Sequence, residues 1–301
     1  MPDTFTRTLV SIGMPLYNAE SYVAASIEAH LAQTYADFEL ILTDNASTDR
    51  SEEICRSYAS RDSRIRYHRN PRNLGATANY RLAFELAQGP YFRWSPADDL
   101  VSPNLLERAV EILSQDSSVF VAYPRTKLID DKGDFLEDFA ENLHLLDERP
   151  SLRWKNVRRN IRMGNLHYGL SRRDLLGKTG LIRNYAGGDF PLIAEMSLYG
   201  KFFEIPDAFF YRRMHAQASS ALKSSADVMA LYDPSKRKNF FAYNWVHLGA
   251  NLRSIARAPI PLSEKLRAWS FEARWLVWGR REYLRELAGF ASHATDKVRG
   301  R

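Results

Sequence analysis

Between residues 9 and 123, short apolar runs alternate with stretches of helical periodicity, and no other feature limits the fold of this chain so strongly. The run 9–13 precedes a helical pattern over 22–32. The run 38–42 precedes a second over 51–59, which Ser47 or Asp49 is placed to cap, with Glu52 and Glu53 favourable in its first turn. Runs at 65–68, 91–94 and 119–123 continue the rhythm, with helices expected up to Ala87 and over 103–114. Strands alternating with helices specify βαβ units and a largely parallel sheet. In such a sheet the carboxyl ends of the strands share one edge, so loops far apart in sequence converge there.

Three of these loops are polar: Pro15, Tyr17 and Asn18; Asp44, Asn45, Ser47 and Asp49; and Asp98 with Asp99, directly after the run 91–94. Adjacent carboxylates at a strand end suit a hard divalent cation shared with a diphosphate. The same residues would also serve as ordinary turns ahead of helices, and the residues alone leave both readings open. Neither Gly-x-x-x-x-Gly-Lys-Ser/Thr nor Gly-x-Gly-x-x-Gly occurs, so phosphates are not held by either glycine cradle.

After Tyr123 the rhythm breaks. Residues 130–134 read as a hairpin turn, and 137–162 as a polar, irregular insertion near the site. Gly187, Gly188 and Asp189 form a turn into a helix over 190–199, and Pro206 splits 201–211 into two β-rich pieces. From Lys236 onward two or three amphipathic helices are expected, interrupted by 258–261. We therefore divide the chain into residues 1–232 and a helical extension, 233–301. The extension carries 14 Lys and Arg against 6 Asp and Glu, a net +8, whereas the whole chain is at +6. The single cysteine, Cys55, rules out a disulfide framework or a cysteine-rich zinc site and is expected to be a buried thiol. No signal-peptide pattern opens the chain and no apolar run approaches membrane-spanning length, which predicts a soluble, cytoplasmic protein.

In order and spacing, these motifs resemble those of family 2 glycosyltransferases: residues 9–18 with Pro15 and Asn18, Thr43 to Asp49, Asn73-Leu74-Gly75, Ala97-Asp98-Asp99 with Pro103, Gly188-Asp189, and 211–219 with Arg213 and His215. The resemblance covers roughly residues 8 to 220. It implies an α/β fold of the GT-A type, with a mainly parallel nucleotide-binding sheet flanked by helices, here followed by the C-terminal helical extension. It also implies a nucleotide-diphosphate sugar donor, a divalent metal (Mg or Mn), a glycan or lipid-linked acceptor, and inversion at the anomeric carbon.

Residue by residue, the resemblance assigns Pro15, Tyr17, Asn18 and Asn73 to the donor pocket, Asp44 to the base, Asp98 to the ribose or sugar, and Asp99 to the metal. Arg213 and His215 would close over the diphosphate, with His215 reaching phosphate or metal. Asp189 matches the position of the catalytic base, although Gly188 stands where the family commonly has Glu. His167 lies in a segment that resembles the one before the acceptor site. The other histidines are expected to be structural. An alternative is a noncatalytic nucleotide-sugar or glycan-binding module of the same fold. Nucleic-acid binding by the basic tail would explain none of the acidic loops.

The tail supports two readings. Trp245, Trp269, Phe271, Trp275, Trp278 and Tyr283 interleave with arginines and lysines, as in a helix lying on an anionic membrane at the inner face of the cell. Phe271, Trp275 and Trp278 also share one helical face, which would bury against the catalytic domain or against a second subunit in a homodimer.

Overall fold

The computed structural model describes residues 9–216, 218, 231–232 and 242–298. Gln217 and Ser219 of the motif at 211–219, the tail's start at Lys236 and the boundary after Tyr232 lie outside or at the edge of these residues.

The alternation expected over the first half is present. Strands β1 (Val10–Leu16), β2 (Phe38–Asp44), β3 (Ile65–Arg69) and β4 (Tyr91–Trp94) form one parallel block, with β1 central between β2 and β4. Every residue of β1 and β2 is buried, as expected for strands covered on both faces. Helices α1 (Val23–Leu31), α2 (Ser51–Ala59) and α3 (Ala76–Glu85) connect them. Gly13 sets how closely α3 approaches: a Cβ there would stand 2.8 Å from the Cβ of Ala83 and 3.0 Å from the Phe92 ring.

The two-residue strand β5 (Leu100–Val101) and helix α4 (Leu105–Gln115) follow, then the long strand β6 (Val119–Ile129), which turns through Gly133 into β7 (Phe135–Phe139). Helices α5 (Pro150–Asn160), α6 (Arg173–Leu176) and α7 (Asp189–Tyr199), and strands β8 (Leu170–Arg172) and β9 (Lys201–Arg213), complete the domain. The sheet runs β3-β2-β1-β4-β8-β6-β9-β5, with β7 on β6. Short β8 is antiparallel to both β4 and β6 and joins the first parallel block to the parallel pair β6–β9. Helices α8 (Tyr243–Arg257), α9 (Leu262–Trp278) and α10 (Arg280–Val298) end the chain.

Two apolar clusters sandwich the sheet. One packs α1, α2 and α4 through Ile27, Cys55 and Leu106, so Cys55 is the buried thiol expected, its pKa pushed up to about 12 by burial. The other joins Phe92, Trp94 and Phe120 of the sheet to Trp154, Ile193, Ile255, Ala268 and Phe271. Helices α8 and α9 therefore share the core of the α/β domain.

Three local expectations are corrected. Residues 137–162 are irregular over 140–149, but they also hold the end of β7 and all of α5, whose Trp154 is fully buried and donates to Glu272 at 3.0 Å. Pro206 does not split β9, because the register against β6 jumps from Ile205 to Phe209 and leaves Pro206 in a bulge, where no ladder N–H is needed. Neither Ser47 nor Asp49 is the N-cap of α2, which is Arg50. Ser47 Oγ instead accepts the Asn18 N–H at 2.9 Å, and Asp49 accepts the N–H groups of Ser51 and Glu20 at 3.0 Å each, so both tie the first two strand-end loops together.

Candidate active site

The strand-end loops meet around a cleft of about 460 Å³. Its wall takes in Pro15 at the end of β1 with Tyr17 and Asn18 after it, Asp98 and Asp99 after β4, and Arg213 and His215 at the end of β9. Asn18 adopts a left-handed backbone (φ 51°), and its Oδ1 accepts the Thr48 N–H at 2.8 Å, holding the β1 and β2 loops in register. Asp98 Oδ2 lies 3.0 Å from His215 Nε2, and the His215 ring packs on Tyr22. Asp99 is buried, and one oxygen accepts the Arg213 backbone N–H at 2.7 Å. Burial, and then the charge of Asp98, push its carboxyl well above the usual carboxylate range.

Two residues expected at the donor are not on this wall. Asp44 is fully buried, its oxygens taken by the Ser47 N–H at 2.8 Å and the Tyr67 hydroxyl at 2.7 Å. Asn73 Oδ1 accepts from Asn45 and from the Gly75 N–H, organising the loop ahead of α3. Arg213 is on the wall, but its Nε and Nη1 are committed: Nε donates to the Asp98 carbonyl at 2.9 Å, and Nη1 to those of Asp130 and Asp131 at 3.1 and 3.0 Å. It clamps the β4 and β6–β7 loops rather than offering a bidentate fork to the cleft.

A second cavity, about 190 Å³, adjoins the first. Asp189 and His167 lie on it with Thr77, Ile182 and Tyr232, and Tyr80, Tyr168 and Arg212 belong to both walls. Arg212 Nη1 donates to Asn165 Oδ1 at 2.5 Å, which fixes the guanidinium between the two spaces. Arg212, Tyr80 and Tyr168 are the residues that sequence reasoning missed. On a strand, adjacent side chains point to opposite faces, so of the paired arginines only one could enter the shared wall; motif spacing favoured the other.

Asp189 opens α7, where the aligned peptide dipoles favour an anion. The turn before it explains the departure from Glu-Asp. Gly187 has φ 67°, and a Cβ at Gly188 would stand 2.1 Å from the Arg183 carbonyl oxygen, so Glu at 188 requires a different loop. Helix α8 braces this loop from behind: His247 Nε2 donates to the Ala186 carbonyl at 3.0 Å while stacking on Tyr243. Buried Glu195 on α7 gathers the Gly180 N–H, the Ser254 hydroxyl and Arg257, and lies 3.5 Å from Arg183.

His167 Nδ1 lies 2.6 Å from the Gly164 carbonyl, so this nitrogen carries the proton and the other, in the neutral ring, is an acceptor. Burial lowers its pKa and keeps the ring neutral. The turn holding it is fixed by Glu141, whose Oε1 accepts the N–H groups of Arg162, Met163 and Gly164. Beneath the shared wall, buried Arg93 donates from Nε to the Tyr168 carbonyl at 3.0 Å and packs its Nη1 on His30 Nε2 at 2.9 Å. Burial pushes His30 down to about 3, so it accepts as a neutral ring.

This architecture is the GT-A fold of glycosyltransferases. Staphylococcus aureus TarS 1–349 in complex with UDP superposes with a TM-score of 0.64 at 16% identity, over 91% of this chain and 73% of that one. Its complex with UDP-GlcNAc gives 0.65 at 14%, over 94% and 80%. The chain belongs to glycosyl transferase family 2, whose model matches residues 11–180. Relatives include an uncharacterized glycosyltransferase of Methanocaldococcus jannaschii, 34% identical over 47% of this chain and 50% of the relative. Another, from Haemophilus influenzae, is 38% identical over 37% and 44%, and glycosyltransferase GlyG of Streptococcus pneumoniae is 32% identical over 38% and 38%. The matches thus span half or less of these relatives.

Proposed function

We propose that this glycosyltransferase moves a sugar, with inversion, from a nucleoside-diphosphate donor in the larger cleft to an acceptor hydroxyl in the smaller cavity. The observation that carries this reading is the shared wall: Asp98, Asp99 and His215 lie on one side of Tyr80, Tyr168 and Arg212, and Asp189 on the other. A single displacement needs that separation, since the base must take the acceptor proton opposite the leaving group. The acceptor oxygen bonds to the anomeric carbon, its proton passes to Asp189, and the bond to the diphosphate breaks. Arg212 faces the point between the two spaces and offsets negative charge developing there. TarS, bound to UDP and UDP-GlcNAc, supports a nucleotide-sugar donor.

The donor set also fits a hard divalent cation, Mg²⁺ or Mn²⁺. A buried carboxylate whose charge is disfavoured by Asp98 gains from one, and His215 offers an imidazole beside it. Among the described residues no group of three or more His, Cys, Asp or Glu side chains is placed to hold a metal ion, and Mg²⁺ is commonly held by one or two carboxylates together with substrate phosphates. When bound, it would offset the charge of the departing nucleoside diphosphate. Asp99→Asn keeps an oxygen for the Arg213 N–H but removes the charge. We expect turnover to fall by about two orders of magnitude or more with the fold unchanged; full activity of this variant, or of the wild type in excess EDTA, would remove the cation from the account. The polysaccharide or lipid-linked setting of the acceptor rests on the family resemblance.

A further inference from the structure

The outward surface of α9 and α10 is apolar and cationic at once. On α9, Leu262, Leu266, Ala273 and Val277 recur at helical spacing, within about 60° of one another at 3.6 residues per turn. All four are exposed, Leu266 at 56% and Val277 at 58%. Trp278, 59% exposed, ends the helix on the side of Phe271 and Trp275, and α10 adds exposed Leu284 and Leu287. Large apolar side chains clustered in water mark a docking surface. Phe271 and Trp275, from the same aromatic set, instead pack inward, with Trp275 under the Arg158 guanidinium, so inward packing accounts for one face of α9 and leaves the other unpartnered among the described residues.

Charge selects the occupant. Arg274, Arg280, Arg281 and Arg285 are exposed beside the apolar strip. The acidic residues of these helices are mostly spent elsewhere. Glu264 and Glu272 are buried on Ser151, Trp154 and Arg158, and Glu286 accepts the Asn244 N–H. Among side chains described on the two helices, Glu282 is the exposed carboxylate. A two-fold dimer through this face would set the same arginines against themselves. A bilayer rich in anionic headgroups matches both properties: lipid phosphates take the guanidiniums, and the acyl boundary takes Leu262, Leu266 and Val277.

We propose that α9 and α10 dock this enzyme peripherally on an anionic membrane surface. The helices lie on the bilayer and do not cross it, since no described helix is long and apolar enough to span one. The proposal does not depend on the transfer reaction, and binding is read without substrate.

The test is co-sedimentation of the full chain with phosphatidylglycerol–phosphatidylcholine vesicles, against phosphatidylcholine alone. We expect at least about tenfold stronger partition to the anionic vesicles, falling as salt rises. Arg274→Glu with Arg281→Glu, and separately Leu266→Ser with Val277→Ser, should each weaken it about tenfold or more while leaving the melting temperature and donor binding unchanged. Equal partition to both vesicles, or none to either, overturns the proposal. A dimer that Leu266→Ser dissociates, in a chain that ignores vesicles, would assign the face to a second copy instead.

Discussion

Asp189→Asn is expected to lower transfer by about a hundred- to ten-thousand-fold while donor affinity stays within about a factor of three. The substitution preserves size and removes the group that takes the acceptor proton. Asp189 lies on the smaller cavity and not on the wall of the larger cleft, so nucleotide binding has no contact to lose. The residue also sits at the first position of α7, where loss of its charge costs about 0.3–1 kcal/mol of helix stability. That is too little to unfold the chain, and a melting curve checks it. Calorimetry showing lost donor affinity together with normal transfer at saturation would make Asp189 a binding residue and leave the reaction without its base.

Deleting the chain from Tyr243 onward is expected to destroy the fold rather than release an active, smaller enzyme. Ile255 and Phe271 are buried in the same cluster as Trp94 and Phe120, and each such side chain contributes about 1.5–3 kcal/mol by burial. Glu195 and Arg158, both well inside the catalytic domain, would lose Arg257 and Glu272. Glu195 would keep Arg183 but lose Arg257 and the Ser254 hydroxyl, and each hydrogen bond to a charged group contributes about 1.5–3 kcal/mol. Against a total stability of about 5–15 kcal/mol, the sum leaves little or nothing. The loop before Asp189 would also lose the His247 and Tyr243 brace. A truncated chain that is soluble, melts cooperatively near the wild-type temperature and turns over donor would show that the helices are an appendage.

The parallel block and its converging loops were legible because apolar runs such as Val10–Leu16 and Phe38–Asp44 are buried on both faces and carry no competing pattern. Helix α5 was not. Only Leu152, Trp154 and Val157 give it an apolar face, and its buried Arg153 reads as a surface residue until its donors are seen to meet the carbonyls of Ser197 and Asp147. Three residues of β8 are too few to show a period, yet they join the two halves of the sheet. At the site, the acidic loops were legible as a set, but not which members reach the cleft. Asp44 ends β2 and Asp99 lies in the loop between β4 and β5, and only the Tyr67 hydroxyl and the Ser47 N–H, brought in by folding, turn Asp44 inward. The two faces of the tail were both present in its pattern. Packing on α5 and α8 decided that Phe271 and Trp275 go inward and left Leu266 and Val277 outside.

The central claim is that the acidic cleft turns over a nucleotide-diphosphate sugar. Its most direct test is release of nucleoside diphosphate from a panel of nucleotide sugars, with Mn²⁺ or Mg²⁺ and then in excess EDTA. At least one sugar nucleotide should be cleaved in the presence of the ion, with release suppressed by the chelator. Tight binding of a nucleotide sugar with no release under any of these conditions, even with glycan acceptors supplied, would contradict it and leave a binding module on a glycosyltransferase fold.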